Sequence, residues 1–505
     1  MIRATTTFSL LLEKTMCKTN KPTKFMSVKV NLSTPMIGTR PNFNTPRRPR
    51  DFAADCRTAW RAMLMPCVLT LLACGTVPAR ALDGMTGIHD PSTVIACDGS
   101  YYVYGTGRGI SVLVSSNGFN WERGQRVFDQ IPATVKAYVP KNNGSDVWAP
   151  DIIKLNGEYY LYYAISSWGQ YVSAVGLMTS PTLDPKNPSY HWTDRGMVVH
   201  SAEGENLNAI DPGVCLAPDG RLWICYGSYH GNIELVELDP KTGLRVATNS
   251  PVTVIASQSE ASDIIYHDGY YYLLVNHGSC CQGRNSTYNI RVGRSPKVTG
   301  PYLDRHGDDL VNGGGTLFLA AAGSQIGPGH FGRLVEDGVE KFSCHYEADL
   351  EKGGRSVLDI RPLLWTTDGW PAPGINIRDG TYQICSRQTG TVLQAATNGV
   401  LTARYLVHDD QKWSIAPAGG GWYKVAGAAG GNGLTVGEAA VTAQPFTGAD
   451  SQLWKLDQLS DGSYRIASKV GKLALTATMN INPGNGVALQ AFKGDDCQRW
   501  DVTAP

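Results

Sequence analysis

The chain has 505 residues and carries 45 Lys and Arg against 44 Asp and Glu, a formal net charge of +1. That balance leaves no electrostatic footprint for nucleic acid, which is excluded as a partner on this ground. Charged residues make up 18%, whereas Gly (56) and Tyr (23) are abundant, so many short strands and turns are expected rather than long charged helices. At roughly 100–200 residues per domain, the length predicts two to four domains.

The first fifty residues have excess Lys and Arg and read as a leader rather than a binding arm. Arg57 and Arg61 then precede the apolar run Ala62–Ala73, and Ala79-Arg80-Ala81 follows. This is the charged, apolar and small-residue order of a signal peptide. The run is too short to span a bilayer, so no transmembrane span is expected in the mature protein. Residues 1–81 are thus read as leader and signal peptide, and a start at Met36 would suit the signal's position. A secreted or periplasmic protein follows. Leu71-Leu72-Ala73-Cys74 also fits a bacterial lipobox, which keeps a lipid anchor through Cys74 as the alternative. Eight of the 12 Cys lie beyond the signal, an even number compatible with disulfides in an oxidising compartment. Their spacing gives no zinc pattern, and Cys280 and Cys281 are adjacent.

A turn followed by an aromatic-rich strand then recurs five times. The copies are Asp98-Gly99 before Tyr101–Tyr104, Asn156-Gly157 before Tyr159–Tyr162, Asp219-Gly220 before Leu222–Cys225, Asp268-Gly269 before Tyr270–Leu273, and Asp337-Gly338 before Val339–His345. Asp-Gly and Asn-Gly favour two-residue hairpins because both central residues need positive φ. Repeats of about 50–70 residues, each with one hairpin, predict the four-stranded blades of a propeller, here five. The fold class is therefore all-β.

Eight residues before each turn stand Asp90, Trp148, Asp211, Glu260 and Gly329, the last followed by His330. The strand entering each hairpin lines a propeller's axis, so this position predicts three carboxylates converging at one mouth of the channel. Carboxylates held close raise one another's pKa, which is costly unless used. Two acids flanking a bond are the minimal apparatus of glycoside hydrolysis: one protonates the leaving oxygen and one activates water. A third can keep the acid protonated.

Taken together, His89-Asp90-Pro91, Trp148-Ala149-Pro150-Asp151, Asn208-Ala209-Ile210-Asp211-Pro212, Glu260 ahead of Tyr270–Leu273, and Gly327-Pro328-Gly329-His330 resemble glycoside hydrolase family 43. Cys280-Cys281-Gln282-Gly283, Val292-Gly293-Arg294-Ser295 and Gly300-Pro301-Tyr302 add a likeness to its arabinan endo-1,5-α-L-arabinosidases. The resemblance covers about residues 84–372 and implies an inverting hydrolase acting on α-1,5-linked L-arabinofuranosyl bonds of arabinan, a side chain of pectin. It makes Asp90 the general base, Glu260 the general acid, and Asp211 the residue that tunes the acid and positions the sugar. It places Trp148, Gly169, Asn208, Ile210, Ser228 and Tyr229 around the sugar. Trp168 is expected to stack on a neighbouring arabinose. His330 resembles the His beside a channel metal, commonly calcium, held through waters; no organic cofactor is implied. Other activities of the family, α-L-arabinofuranosidase, β-xylosidase or exo-galactanase, are the alternative. A non-catalytic carbohydrate-binding protein is the second, against which the three acids argue.

Pro371-Ala372-Pro373-Gly374 reads as a linker that ends a propeller domain over 82–372. Gln411-Lys412-Trp413, Gln452-Leu453-Trp454 and Gln498-Arg499-Trp500 then repeat, as do Tyr382, Tyr423 and Tyr464. Three Gln-x-Trp units resemble the ricin-type β-trefoil over 375–505, a carbohydrate-binding fold in which these residues are mainly core. The Asp that sugar-binding trefoils carry in each repeat is replaced by Gln394, Thr435 and Thr476.

Overall fold

The computed structural model describes residues 82–397, 399–438, 440–478 and 485–505. The signal segment, Met36 and Cys74 lie outside the described residues. The chain is all-β: a five-bladed propeller followed by a β-trefoil. Blade I holds Ile95–Cys97, Ser100–Gly105, Ser111–Ser115 and Asn120–Arg123; blade II Val147–Leu155, Glu158–Ile165, Ser173–Ser180 and Thr193–Ser201. Blade III holds Gly213–Leu216, Leu222–Gly227, Asn232–Leu238 and Val252–Ser257; blade IV Glu260–His267, Tyr270–His277, Asn289–Ser295 and Thr316–Leu319. Blade V holds Gln325–Glu336, Val339–Asp349, Arg355–Trp365 and Pro371–Pro373.

Each blade comes from consecutive sequence, so apolar packing between neighbours must close the ring. One core joins blades I and II through Tyr102, Tyr104, Leu161 and Tyr163. Others join II to III through Leu177 and Ile224, III to IV through Cys225 and Leu273, and IV to V through Leu274 and Phe342. The closing core packs Val103, Leu113 and Trp121 of blade I against Leu358 and Ile360 of blade V. Beside it Asp83–Gly84 runs parallel to blade I's outer strand, and the Leu358 amide donates to the Thr86 carbonyl at 2.8 Å.

Four of the five turns have the expected geometry, with positive φ at Asp98, Asn156, Asp268 and Asp337 and at the glycine after each. Asp219 is the exception: only Gly220 is left-handed, and the Ala217 amide pairs with the Arg221 carbonyl. Pro218 starts a turn one residue longer, of the type closed by a left-handed glycine. The linker reading is corrected. Pro371–Pro373 is the outer strand of blade V, pairing with Leu363–Trp365. Proline is tolerated there because an edge strand has a side without a hydrogen-bonding neighbour. The disulfide reading is corrected too. The eight described cysteines are free, and Cys97, Cys215, Cys225 and Cys344 are buried as small apolar groups in blades I, III and V.

In the trefoil, six strands close a barrel: Gly380–Ser386, Trp413–Gly419, Trp422–Gly427, Trp454–Gln458, Tyr464–Ser468 and Trp500–Thr503. Its threefold repeat is explicit, because Tyr382, Tyr423 and Tyr464 face Trp413, Trp454 and Trp500 across strand pairs. Each of these tryptophans is fully buried and donates its indole N–H to a leucine carbonyl, of Leu393, Leu434 or Leu475.

Asp457 of the barrel ties the two domains together. It is buried, 2.8 Å from Arg465, 3.6 Å from Lys341 of blade V and 3.9 Å from Lys455. Burial would raise its carboxyl, but these three cations hold it below the usual range. Removing it would strand buried positive charge. Asp457→Ala is expected to cost about 3–5 kcal/mol, read by calorimetry of the whole chain. A loss under about 1 kcal/mol would reduce the cluster to a surface ion pair.

Candidate active site

Each blade is distorted in its inner strand or in the segment that enters it. Asp90, Ala149, Asp211, Ala261 and His330 all have positive φ, at 48°, 39°, 54°, 53° and 55°. In blades II, IV and V the ladder register breaks over this residue, between Trp148 and Asp151, Glu260 and Asp263, and Gly329 and Gly332. Such bulges re-aim side chains at the rims of barrels and beside active sites. The equivalence counted back from the turns is thereby corrected. Asp90 and Asp211 occupy the left-handed position itself, whereas Glu260 and Trp148 stand one residue before it. The longer Ala217–Arg221 turn accounts for the offset in blade III. In blade I the extra residue lies between Ser92, whose amide donates to the Tyr104 carbonyl, and Ile95, which faces Tyr102.

Asp90 is buried and saturated with donors. His330 Nε2 lies 2.9 Å from Oδ1, and His89 Nδ1 lies 2.8 Å from Oδ2. Thr106 donates its hydroxyl to Oδ2 and accepts the Ala149 amide, linking blade I to blade II. The Asp90 amide donates to His345 Nδ1 at 2.7 Å, which fixes that ring as an acceptor. Burial agrees, holding His345 well below the ordinary histidine range and hence neutral. Burial would also raise the Asp90 carboxyl, but the charges of His89 and His330 outweigh it and hold the group well below the usual range. Conversely, although burial disfavours its charge, Asp90 raises His330 to about 9.

Glu260 has the opposite surroundings. Burial and the charge of Asp211 raise its carboxyl to about 8, against a hydrogen bond from the Tyr288 hydroxyl to Oε1 at 2.9 Å. Burial also raises Asp211 to about 6; His330 opposes this and Asp90 adds to it. Asp211 Oδ2 accepts the amide of Ala261, the residue after Glu260, at 3.3 Å. It therefore fixes the backbone that carries Glu260. One carboxylate stays ionised, one stays protonated to mild alkali, and the third holds the second in place.

The other sequence candidates divide into four groups. Trp148 is partly buried and meets Trp168 edge to face at 6.3 Å; Trp168 is 75% exposed, a free aromatic face at the rim. Asn208 and Ser228 are buried and bonded to each other at 3.3 Å, with Asn208 Oδ1 accepting from Ser173, so they form a support. Ile210 joins that layer by accepting the Gly227 amide. Tyr229 reaches over to blade IV, donating to the carbonyls of Asn276 and Gly278. Gly169 lines a separate groove of about 390 Å³ with Tyr171, Glu205 and His230, and is not gathered with the acids. Sequence reading missed His89, Thr106, Tyr288 and His345. Only His89, beside Asp90, carried a local signal.

The donors do not suit a calcium ion held directly at His330. Calcium takes six to eight oxygens, yet His330 Nε2 is bonded to Asp90. Among the described residues the clusters close enough to share an ion are His89–Asp90–His345 and His89–Cys281–Glu347. Neither includes His330, and no chemistry is assigned to calcium.

Comparison with known proteins fits this geometry. The model of glycosyl hydrolases family 43 matches residues 85–371. The chain belongs to that family. It is a glycoside hydrolase, and a ricin-type β-trefoil lectin-like model matches residues 409–492. An extracellular endo-α-(1→5)-L-arabinanase of Bacillus subtilis is 38% identical over 294 residues, 56% of this chain and 87% of the relative. An extracellular exo-α-(1→5)-L-arabinofuranosidase of Cellvibrio japonicus is 36% identical over 319 residues, 59% and 88%. The solved endo-arabinanase of Bacillus licheniformis is 37% identical with a TM-score of 0.53, covering 58% of this chain and 99% of that one.

The raised Glu260 carboxyl has a consequence for stability. Its unfolded value is near 4.5 and its folded value about 8, so the fold retains a proton that the unfolded chain releases. That stability is complete below pH 4.5 and falls as the pH rises to 8. Glu260→Gln should therefore gain at least about 1 kcal/mol over wild type on going from pH 4.5 to pH 8, read by urea unfolding at both. An equal difference at the two pH values would show that the carboxyl titrates normally.

Proposed function

We propose that the enzyme cleaves α-1,5-linked L-arabinofuranosyl bonds of arabinan with inversion, using Asp90 as base, Glu260 as acid and Asp211 as tuner and positioner. The observation that carries this reading is the pair of opposite environments at one mouth: donors crowd Asp90, while Glu260 faces a second carboxylate. Inverting hydrolysis needs that contrast. Asp90 takes a proton from water as the oxygen attacks the anomeric carbon. Glu260 gives its proton to the leaving oxygen as the glycosidic bond breaks. Trp148 and Trp168 offer aromatic surface to the sugars, and Asn208, Ile210, Ser228 and Tyr229 support the walls. The arabinan-cleaving relatives support the substrate, rather than the xylan or galactan of the alternatives.

Export is proposed as well, a reading supported by the two relatives described as extracellular. No helix among the described residues is long and apolar enough to cross a membrane. The trefoil is proposed to hold the enzyme on polysaccharide. Its first repeat keeps a carboxylate, Asp410, which accepts from Gln394 at 2.8 Å and leaves Oδ1 without a partner.

Linear arabinan is the deciding substrate. Early products followed by proton NMR should carry the inverted anomer, and product sizes will separate internal from terminal cleavage. A retained anomer would overturn the roles of Asp90 and Glu260. Glu260→Gln should abolish this activity while sparing an aryl arabinoside whose leaving group needs little protonation; equal losses would remove Glu260 as the acid.

Asp211→Asn separates tuning from positioning. It removes the like charge that helps hold Glu260 at about 8, so the acid loses its proton at lower pH. The alkaline limb of kcat/KM should move down while the acidic limb moves less. If the limb stays fixed while the rate falls, Asp211 only positions.

A further inference from the structure

We propose that His89, Cys281 and Glu347 form a binding site for a zinc-class divalent cation, placed to act on Asp90. The three come from separate parts of the ring: the entry to blade I, the loop after Tyr270–His277 in blade IV, and the second strand of blade V. One ligand atom from each lies within 4.8 Å of the others. Nitrogen, sulfur and carboxylate oxygen is a donor set that zinc accepts, with a fourth position left for water. Calcium and magnesium demand oxygen throughout.

The ligands are already oriented. His89 Nε2 faces Glu347 Oε1 at 3.3 Å, while Nδ1 is bonded to Asp90 Oδ2 at 2.8 Å. A metal on Nε2 would complete the carboxylate–histidine–metal arrangement that fixes the ring of a metal-binding histidine. The Cys281 amide donates to Glu347 Oε1 at 3.0 Å, so cysteine and glutamate are held together before any ion arrives. The Glu347 side chain is only 3% exposed, His89 is partly open and Cys281 is exposed, which gives the cation a route from solvent. Cys280 Sγ stands 2.7 Å from Cys281 Sγ, unbonded, so the thiol is present only while the pair is reduced.

Binding would replace the proton on His89 Nε2 and the thiol proton of Cys281. The two displaced protons balance the two charges of the ion, so the effect on Asp90 is one of position: zinc fixes the His89 ring with Nδ1 on Asp90 Oδ2, and that oxygen is no longer free to take the proton of water. This inhibitory arm rests on the proposed role of Asp90; the binding arm does not.

The test uses metal-free full-length enzyme, kept reduced with a phosphine and titrated with zinc or cobalt(II). The expected result is one zinc per chain at micromolar affinity, with thiolate-to-cobalt absorption in the near ultraviolet. Cys281→Ser should abolish that band and weaken zinc at least tenfold. Oxidising the Cys280–Cys281 pair should do the same, and millimolar calcium should not compete. Zinc should lower kcat/KM of the wild type and not of Cys281→Ser, whose activity without zinc is unchanged. Equal zinc affinity in Cys281→Ser, or no binding at micromolar zinc, would overturn the site. Zinc bound through Cys281 with activity untouched would keep the site and overturn its link to Asp90.

Discussion

Three carboxyl groups in one poorly solvated mouth cannot all be ionised, and most of the site follows from how that conflict is resolved. Asp90 is ionised because histidines supply positive charge and a threonine hydroxyl adds a donor. Glu260 receives a single phenolic hydrogen bond, which does not offset burial and the neighbouring Asp211, so it keeps its proton. The contrast between the two carboxyls is thus set by the donors and charges placed around each, not by any difference in the carboxyls themselves.

The propeller makes this distribution possible. Five separate apolar cores hold the blades, leaving the inner strands free to carry polar groups toward the axis. The left-handed residue in each inner strand costs conformational energy at Ala149, Ala261 and His330, where no glycine relieves it. That cost is met by the ladders on either side, and it turns the neighbouring side chains into the mouth. Buried Asp151 extends the same logic below the acids: its two oxygens accept amides from Thr93 and Val214, so one side chain of blade II fastens blades I and III.

The trefoil uses its repeated polar residues differently. Gln411, Gln452 and Gln498 each donate to a nearby backbone carbonyl and accept a backbone amide, closing the loop of their own repeat. The same glutamines donate to Gln394, Thr435 and Thr476, the positions where sugar-binding relatives carry Asp. In the second and third repeats that position is therefore tied into the core by a hydroxyl. In the first repeat Gln394 donates in turn to a carboxylate, Asp410.

The sequence by itself determined the repeat structure of both domains, because hairpin turns and Gln-x-Trp units are local signals with fixed chemistry. It also marked Asp90, Asp211 and Glu260, which share a nearly constant distance from a turn. It did not determine their register, since a longer turn in blade III and an extra residue between Ser92 and Ile95 in blade I each shift the count by one. Nor could it assign the proton. His330, His345 and Tyr288 reach the acids from other strands, so only tertiary structure decided which carboxyl would be charged. Cys281 and Glu347 show the same limit. Zinc spacing is legible when ligands share a loop, whereas here the ring of blades brings them to His89 across most of the propeller sequence. Local geometry is written in neighbouring residues, but electrostatics is summed over every group that folding brings near.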